Sequence, residues 1–420
     1  MTMRALKHTL PLLIAGCASE PRPTAAPLDL DDALAFLEAQ PNYLRWRPSS
    51  PVPSGLANVR AETCGACHQE IYAEWKISTH ARAWLDDAQF QAELAKPREG
   101  GGDVSWMCVN CHTPSQGQLP RLVARLEDGK LDRPVYINNP DFDEAFQTEA
   151  ISCATCHIAD GAVLGPYGDT SAPHTVKRDD RLNSAAICEG CHQADVRFDA
   201  LNLACAFNTG AELEAGPWAA EGYRCQTCHM PEVERPLVAG GPVRLTRRHW
   251  FGGSLIPKSP AYAEELAPLA QVYPPGLELG WADLPASVPA GQPVTLTLRY
   301  ANTRAGHKLP TGDPERYLLI HAEARDSTGG LLAQLDERIG AVYQWYPTIE
   351  LKSDNRLAPR EARTSTLTFQ APSAGEEITL SFEASRWRIS PENVAWHQLE
   401  GKVVPGQTFA SERRTLPLTR

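Results

Sequence analysis

Residues 63–80 read TCGACHQEIYAEWKISTH and contain the pattern that decides the architecture of this chain. Cys64 and Cys67 are separated by two residues, and His68 follows immediately. The same Cys-x-x-Cys-His pattern occurs four more times, ending at His229. In a chain with 12 Cys and 12 His, chance would give about 0.01 such patterns. Five copies therefore indicate one chemical requirement that is met five times.

Covalent attachment of haem explains this spacing. Two thiols three positions apart can reach both vinyl groups on one edge of a porphyrin, and the next His becomes the proximal ligand of the iron. The alternatives are zinc, which usually takes four ligands from paired knuckles, and redox dithiols, which do not require the His. The sequence predicts five covalently bound c-type haems. The predicted attachment residues are Cys64, Cys67, Cys108, Cys111, Cys153, Cys156, Cys188, Cys191, Cys225 and Cys228, and the predicted proximal ligands are His68, His112, His157, His192 and His229.

Methionine is almost excluded as the second axial ligand. Two of the four Met lie at the extreme N-terminus, and Met107 and Met230 directly adjoin motif residues. The haems are therefore expected to be bis-His or open, and low in potential. The candidate distal ligands are His80, His174, His249 and His307. His321 falls mid-strand on the polar face and is predicted to be a solvated strand residue, whereas His397 is left undecided.

His80 is expected to reach a neighbouring haem. It lies twelve residues after His68, about 18 Å along a straight helix, so it cannot serve the same iron. Cys205 stands in an apolar run and is predicted to be a small buried hydrophobe.

The N-terminus has the anatomy of a bacterial lipoprotein leader. Arg4 and Lys7 precede a short apolar run, and residues 14–17 read IAGC. This pattern predicts a signal peptide over residues 1–16 and lipidation of Cys17, with an ordinary secretory leader as the alternative. The protein is expected to be exported to the periplasmic or cell-surface side, as an outer-membrane lipoprotein.

The residue pattern of the sequence changes after the last motif. The four segments 294–302, 316–324, 362–370 and 376–384 are rich in β-formers, and turn residues separate them. We predict an α+β multidomain protein, in which a loop-rich, mainly helical multihaem region precedes an antiparallel, immunoglobulin-like β-sandwich. The predicted boundaries are 17–60 for a tether and short helix, 61–255 for the pentahaem domain, 256–283 for a connector and 284–420 for the sandwich.

Three flanking patterns resemble a known family. They are Trp75-x-x-Ser78-x-His80-Ala81, then CQTCHMP at 225–231 with RRHW after it, and GHKLPTGDPER at 306–316. Over roughly residues 61–320 the chain resembles the cytochrome c554 family of multihaem cytochromes. The resemblance implies an electron carrier in which His80 is a distal ligand and one haem is five-coordinate. The chain departs from the family in having five motifs instead of four, a lipoprotein-like leader and a C-terminal β domain.

Three classes of function follow from these observations. The leading hypothesis is an electron-transfer protein whose partners are other cytochromes, or a quinol-oxidising or outer-membrane electron-transfer complex. The alternative is an oxidoreductase that acts on a small nitrogen or sulfur species at an open haem, and a structural or adhesive role is the third class. The formal charge of −11 argues against a nucleic-acid partner.

Overall fold

The computed structural model describes residues 27–96, 101–168, 171–198, 203–345 and 347–420. The predicted signal peptide at 1–16 and the predicted lipidation site Cys17 lie outside the described residues. Within the described ranges, no helix has both the length and the apolar character needed to cross a membrane.

The N-terminal helix α1 (Leu30–Glu38) begins where Asp29 caps it, because the Asp29 carboxylate accepts hydrogen bonds from the backbone N–H groups of Asp31 and Asp32. Ala33 and Leu37 lie one turn apart on the buried face of α1. Both pack into a small apolar cluster with residues of the multihaem region. The short helix predicted between residues 17 and 60 is therefore present and docked.

Four of the five motifs lie on short helices, whereas the first begins at the end of α2 and continues into the turn after it. Positions i and i+3 of a helix lie on the same face, so both cysteines of each helical motif project to one side. The helices that hold motif residues are α2 (Ala61–Gly65), α5 (Ser105–His112), α7 (Cys153–His157), α8 (Ala186–His192) and α11 (Cys225–His229). The other helices of this region are α3 (Gln69–Lys76), α4 (Ala88–Ala95), α6 (Glu144–Gln147), α9 (Thr209–Glu214) and α10 (Pro217–Ala220).

Small sheets connect these helices, so the region is more mixed than the predicted mainly helical fold. The sheets, whose strands are all six residues or shorter, are β1–β2, β3–β4–β5, β6–β7 and β8–β9. Strands this short give almost no periodic signal in a sequence. Their bounds are β1 (Arg121–Leu126), β2 (Pro134–Asn138), β3 (Ile158–Ala159), β4 (Ala162–Gly165), β5 (Val176–Arg178), β6 (Gln193–Phe198), β7 (Leu203–Asn208), β8 (Glu232–Pro236) and β9 (Val243–Arg247).

A Pro-rich connector joins this region to the β domain. It contains α12 (Ala263–Leu266), with 3-10 turns at Pro260–Tyr262 and Ala267–Gln271 on either side. Further 3-10 turns cover Asn42–Leu44, Gln116–Gln118, Glu127–Gly129 and Asp180–Asn183.

The C-terminal part is built from two sheets. The first has the antiparallel order β10–β12–β16, and the second has the order β11–β18–β17–β13–β14–β15, in which only the β11–β18 pair is parallel. The strands are β10 (Leu277–Ala282), β11 (Val288–Pro289), β12 (Pro293–Asn302), β13 (Tyr317–Arg325), β14 (Leu331–Gln344), β15 (Glu350–Asp354), β16 (Ala362–Gln370), β17 (Glu377–Trp387) and β18 (Gly406–Thr419), and α13 (Pro391–Trp396) lies between β17 and β18.

The two sheets pack on a shared apolar core. Leu298 from the smaller sheet meets Ile320 and Phe382 from the larger one within one buried cluster. The four strands predicted from alternation correspond to β12, β13, β16 and β17. Strand β10 begins at Leu277, before the predicted start of the domain at 284. The immunoglobulin-like topology and the exact domain boundaries stay predictions.

Candidate functional site

One continuous cavity of about 2590 Å³ collects the predicted site residues. All ten motif cysteines and all five motif histidines line it, together with His80, His174, His249 and His307. A pocket for one small ligand measures about 300–1,000 Å³, so this cavity is several times larger. The residues that the sequence singles out for haem binding, up to 243 positions apart in the chain, thus face a common space.

The proximal imidazoles are held in a defined orientation. In four of the five motifs the Nδ1–H group donates to a backbone carbonyl oxygen, so Nε2 is the nitrogen available to bind a metal. Such an outer partner fixes both the tautomer and the ring direction of a metal-ligating His. The acceptors are Leu237 for His68 (3.0 Å), Ala83 for His112 (2.6 Å), Leu164 for His157 (2.8 Å) and Gly252 for His229.

Three proximal imidazoles each face one predicted distal imidazole at the same distance. The ring centroids are 6.3 Å apart in all three pairs. The pairs are His192 with His80, His157 with His249, and His229 with His307.

This distance has a simple metal-binding interpretation. A ring nitrogen lies about 1.1 Å from the centroid of its imidazole, and a metal–imidazole bond measures about 2.0 Å. Two imidazoles on opposite sides of one ion therefore have centroids about 6.2 Å apart, close to the distance in these three pairs. Stacked rings in van der Waals contact would lie much closer together. The separation of each pair is compatible with one metal ion between the two rings.

The first and second motifs lack such a pair: among the described residues, no second imidazole faces His68 or His112 in this way. The His112 ring instead stacks on Phe90, with centroids 3.5 Å apart. Burial lowers the pKa of His112 to about 4, so this imidazole is neutral and able to bind a metal. His174 lines the cavity with a buried Nδ1 that has no hydrogen-bond partner.

The distal ligand candidate His249 is anchored by a buried carboxylate that sequence reasoning missed. Glu74, on α3, accepts a hydrogen bond from the His249 backbone N–H (2.9 Å) and also binds Arg235 (2.6 Å) and Arg248 (2.5 Å). Although burial alone would raise the pKa of Glu74, these cations hold it below its ordinary value. The pair Arg247–Arg248 before His249 hinted at a carboxylate partner, but nothing in the sequence pointed to Glu74.

Three half-buried cations also line the cavity: Lys258, Arg316 and Arg388. Asp87 binds the Lys258 ammonium and the Arg388 guanidinium (2.8 Å), yet the Nη1 atom of Arg388 is buried without a partner. Burial lowers the pKa of Lys258 to about 8. Buried cations need anionic partners, and the propionate groups of haem would supply them. The donor set of the cavity therefore fits haem at its iron and at its carboxylates.

The structure places the remaining singled-out residues as follows. His321 is exposed on β13 and hydrogen-bonds Asp336 (2.7 Å), which agrees with the solvated strand position. His397 lines the cavity and pairs with Glu93 (3.0 Å). Cys205 is half-buried at the cavity wall, and burial raises the pKa of its thiol to about 11. No group of three or more metal-ligating side chains converges within the described ranges as it would around a zinc ion.

Comparison with known families agrees with the geometry. The family described as cytochrome c554 and c-prime matches residues 63–132, which contain the first two motifs and His80. The predicted resemblance is thus confirmed over these residues, which contain the first of the three flanking patterns, and it supports a multihaem c-type cytochrome family. No curated protein sequence matches the chain significantly.

A solved structure shares the fold. A penta-haem cytochrome c552 from Thermochromatium tepidum superposes with a TM-score of 0.59 at 19% identity, covering 85% of this chain and 99% of that chain. Two other structures cover 34% of this chain each. They are AvmM, a macrocyclisation catalyst of alchivemycin A biosynthesis (10% identity, 89% of that chain, TM-score 0.21), and the C-terminal domain of wzt (11% identity, 74% of that chain, TM-score 0.19). These two TM-scores are too low to support any argument.

Proposed function

We propose that this multihaem c-type cytochrome transfers electrons outside the cytoplasm through five covalently bound haems. Two observations made together carry the proposal. All five Cys-x-x-Cys-His motifs line one cavity, and the histidines of three motifs each lie 6.3 Å, centroid to centroid, from a second histidine. Haem iron would supply the change between ferric and ferrous states. The chain's own residues hold the axial nitrogens in place, keep water away and set the separation of the redox centres.

The distal ligands are assigned from the pairs. His80 serves the fourth motif, His249 the third and His307 the fifth. His174 is proposed for the first motif, because its segment lies against residues just before α2: the Thr175 N–H donates to the Ser54 carbonyl oxygen (3.0 Å). A Cβ on Gly55 would lie only 3.0 Å from the His174 Cα, so this contact is close.

The predicted leader supports an extracytoplasmic location. We propose that Cys17 carries a lipid that holds the protein at the outer membrane, with the haems in the periplasm or at the cell surface. Its partners would be redox proteins, such as other cytochromes or a membrane-bound electron-transfer complex. Globomycin, which blocks lipoprotein signal peptidase, should make the precursor accumulate; a precursor that matures normally would contradict the lipoprotein proposal.

Replacing His307 with Ala tests the ligand assignment. Loss of this imidazole should convert one low-spin iron into a high-spin iron in the EPR spectrum of the ferric protein. His321→Ala is the matched control, because His321 lies in the same β domain on an exposed face, and its spectrum should equal the wild type. An unchanged spectrum for His307→Ala would remove His307 from the ligand set.

A second candidate function is catalysis at an open iron of the second motif. The specific observation is that His112 has no second histidine at the distance seen in the three pairs. A high-spin ferric signal in the wild-type protein, shifted to low spin by added azide, would support this candidate. A purely low-spin spectrum would contradict it and leave electron transfer alone.

A further inference from the structure

We propose that the haem of the fourth motif has the highest reduction potential of the three haems with paired imidazoles, so that a single electron shared among these three rests there. This inference rests on the proposed electron-transfer function and deepens it. It adds the order in which the three irons are reduced, and it names the contacts that set this order.

Both imidazoles of the third pair and both of the fifth pair are hydrogen-bonded to the backbone. With Nε2 facing an iron, Nδ1 carries the proton and donates to a carbonyl oxygen. The four bonds run from His157 to Leu164 (2.8 Å), from His249 to Arg247 (2.9 Å), from His229 to Gly252 and from His307 to Lys308 (2.9 Å).

The fourth pair lacks these bonds. His192 and His80 face each other at the same 6.3 Å, but neither ring is hydrogen-bonded to another residue in the part of the chain that the structure describes. The His80 ring packs instead on the Phe251 ring, with centroids 4.4 Å apart. An aromatic ring is a much weaker acceptor than a carbonyl oxygen. Phe251 therefore positions the His80 ring without polarising its Nδ1–H group.

The segment that carries Phe251 contacts the ligands of three haems. The backbone φ of Phe251 is 50°, in the left-handed region that bulky residues rarely adopt. His249, two residues earlier, is the proposed distal ligand of the third haem, and the Gly252 carbonyl oxygen accepts from the proximal His229 of the fifth. These contacts on both sides hold the chain in this conformation and direct the Phe251 ring onto His80.

The hydrogen bonds act on the potential through the donor strength of the imidazole. When Nδ1–H donates to a carbonyl oxygen, the basicity of the ring rises and Nε2 becomes a stronger ligand. A stronger ligand stabilises ferric iron more than ferrous iron, so the reduction potential falls. The fourth iron has two weaker donors, so its ferric state is stabilised least and its potential is the highest of the three.

The third and fourth pairs are otherwise closely matched. Each consists of two imidazoles whose centroids are 6.3 Å apart, and the angle between the ring planes is 35° in the third pair and 43° in the fourth. All four rings line the same cavity. The comparison of these two haems therefore tests the hydrogen bonds most directly.

The fourth motif also adjoins the segments that carry the third and fifth motifs. The N–H group of Ile151, just before the third motif, donates to the His80 carbonyl oxygen (3.2 Å). The side-chain amide of Gln226, inside the fifth motif, donates to the carbonyl oxygen of Ser184, just before α8 (2.7 Å). These contacts hold the three haem positions as neighbours, so an electron on the third or fifth iron can pass to the fourth.

A redox titration of the full-length holoprotein, followed by EPR, tests the order. Each low-spin ferric signal disappears as its iron takes up one electron, supplied by dithionite through soluble mediators. His80→Ala, His249→Ala and His307→Ala should each remove one low-spin signal, and they thereby assign the fourth, third and fifth haems. In the wild-type protein, the signal assigned by His80→Ala should disappear first of the three as the potential is lowered.

His80→Met gives a second assignment that keeps the site filled, since the flexible Met side chain adapts to the space of the imidazole. It should shift the g values of the same signal that His80→Ala removes. His321→Ala is the control, because His321 is exposed on β13, and all low-spin signals of this variant should match the wild type.

Two results would overturn these proposals at different levels. In a protein with five haems, a fourth-haem signal that disappears together with the third-haem or fifth-haem signal, or after it, would overturn the order of potentials only. A purified protein whose mass shows no attached haem would overturn the proposed function itself.

Discussion

The two large regions of this molecule fill their interiors with different groups. In the β domain, two clusters of ten buried residues each fill the space between the sheets, within the part of the chain described. In the multihaem region the apolar clusters are smaller, and they lie around a cavity of about 2590 Å³. Protein interiors are normally close-packed, so a cavity of this size requires bound groups to fill it. The core of the β domain consists of its own side chains, whereas bound haem would form much of the core of the multihaem region.

The largest expected effect follows from withholding haem. In a host without haem-attachment machinery, the multihaem region should fail to fold while the β domain still forms. Limited trypsin digestion followed by mass spectrometry should then show rapid cleavage over roughly residues 61–255 and a resistant fragment that begins near Leu277. Equally fast cleavage in both regions would break the comparison.

The next effect is expected at the buried carboxylate that supports His249. Glu74→Gln removes the buried charge partner of Arg235 and Arg248, which keep only the exposed Glu70, and should cost about 3 kcal/mol in the free energy of unfolding of the multihaem region. Denaturant titration followed at the haem absorbance measures this loss. Glu70→Gln is the control, since the Glu70 side chain is 64% exposed and should cost under about 1 kcal/mol.

The same carboxylate gives a pH dependence whose sign is fixed. The folded protein holds the pKa of Glu74 below its ordinary value of 4.5. Its stabilisation is therefore present above that pH and is lost as the pH falls and the carboxylate becomes protonated. The stability difference between wild type and Glu74→Gln should shrink below pH 4.5; a difference that stays constant down to pH 3 would contradict the assignment.

A core truncation in the β domain should affect that domain alone. Leu380 is fully buried between the sheets, and Leu380→Ala should lower the free energy of unfolding by about 3 kcal/mol. Far-UV circular dichroism follows the loss, and the haem spectrum of the folded variant should not change. Leu331→Ala, at a position that is 49% exposed, should be close to neutral. Altered haem spectra for Leu380→Ala would mean that the two regions are less independent than their cores suggest.

The smallest effect is expected at the boundary between the regions. Burial raises the pKa of Glu315 from 4.5 to about 8, and Asn393 donates to its carboxyl group (2.5 Å). The neutral form is thus favoured in the fold, so its contribution is complete below pH 4.5 and is lost as the pH rises to about 8. Glu315→Gln should match the wild type at pH 5 and exceed its stability at pH 9, by an amount that the partial exposure of Glu315 to solvent limits to about 1 kcal/mol. Thermal melts at both pH values measure this, and a difference that does not vary with pH would contradict it.

The features that could be predicted are those formed by residues close together in the sequence. A thiol pair and its imidazole lie within five residues, so every attachment motif could be located from the sequence. The strands β12, β13, β16 and β17 could be predicted because apolar and polar residues alternate along them. Strand β18 was missed because most of its residues are exposed and charged residues such as Arg413 and Arg414 interrupt the alternation.

Pairing across the fold could not be predicted from the sequence. His157 and His249 lie 92 residues apart, and only the folded chain brings their rings to 6.3 Å. The helix expected to run through His80 ends at Lys76, and the turn that follows directs His80 to His192 of the fourth motif. The half-buried cations Lys258, Arg316 and Arg388 come from three separate segments, so no local pattern marks them as one group.

The position of His307 sets an order for biogenesis. This residue lies on the loop between β12 and β13, whereas its paired imidazole, His229, belongs to the last motif. On the export route proposed above, the five motifs leave the translocation channel before residue 307, so thioether formation can be complete while the C-terminal half is still unfolded. With the ligand assignment proposed above, the fifth iron then acquires its second ligand only after the two sheets have formed and docked. Its spin state would report that maturation has reached the final step.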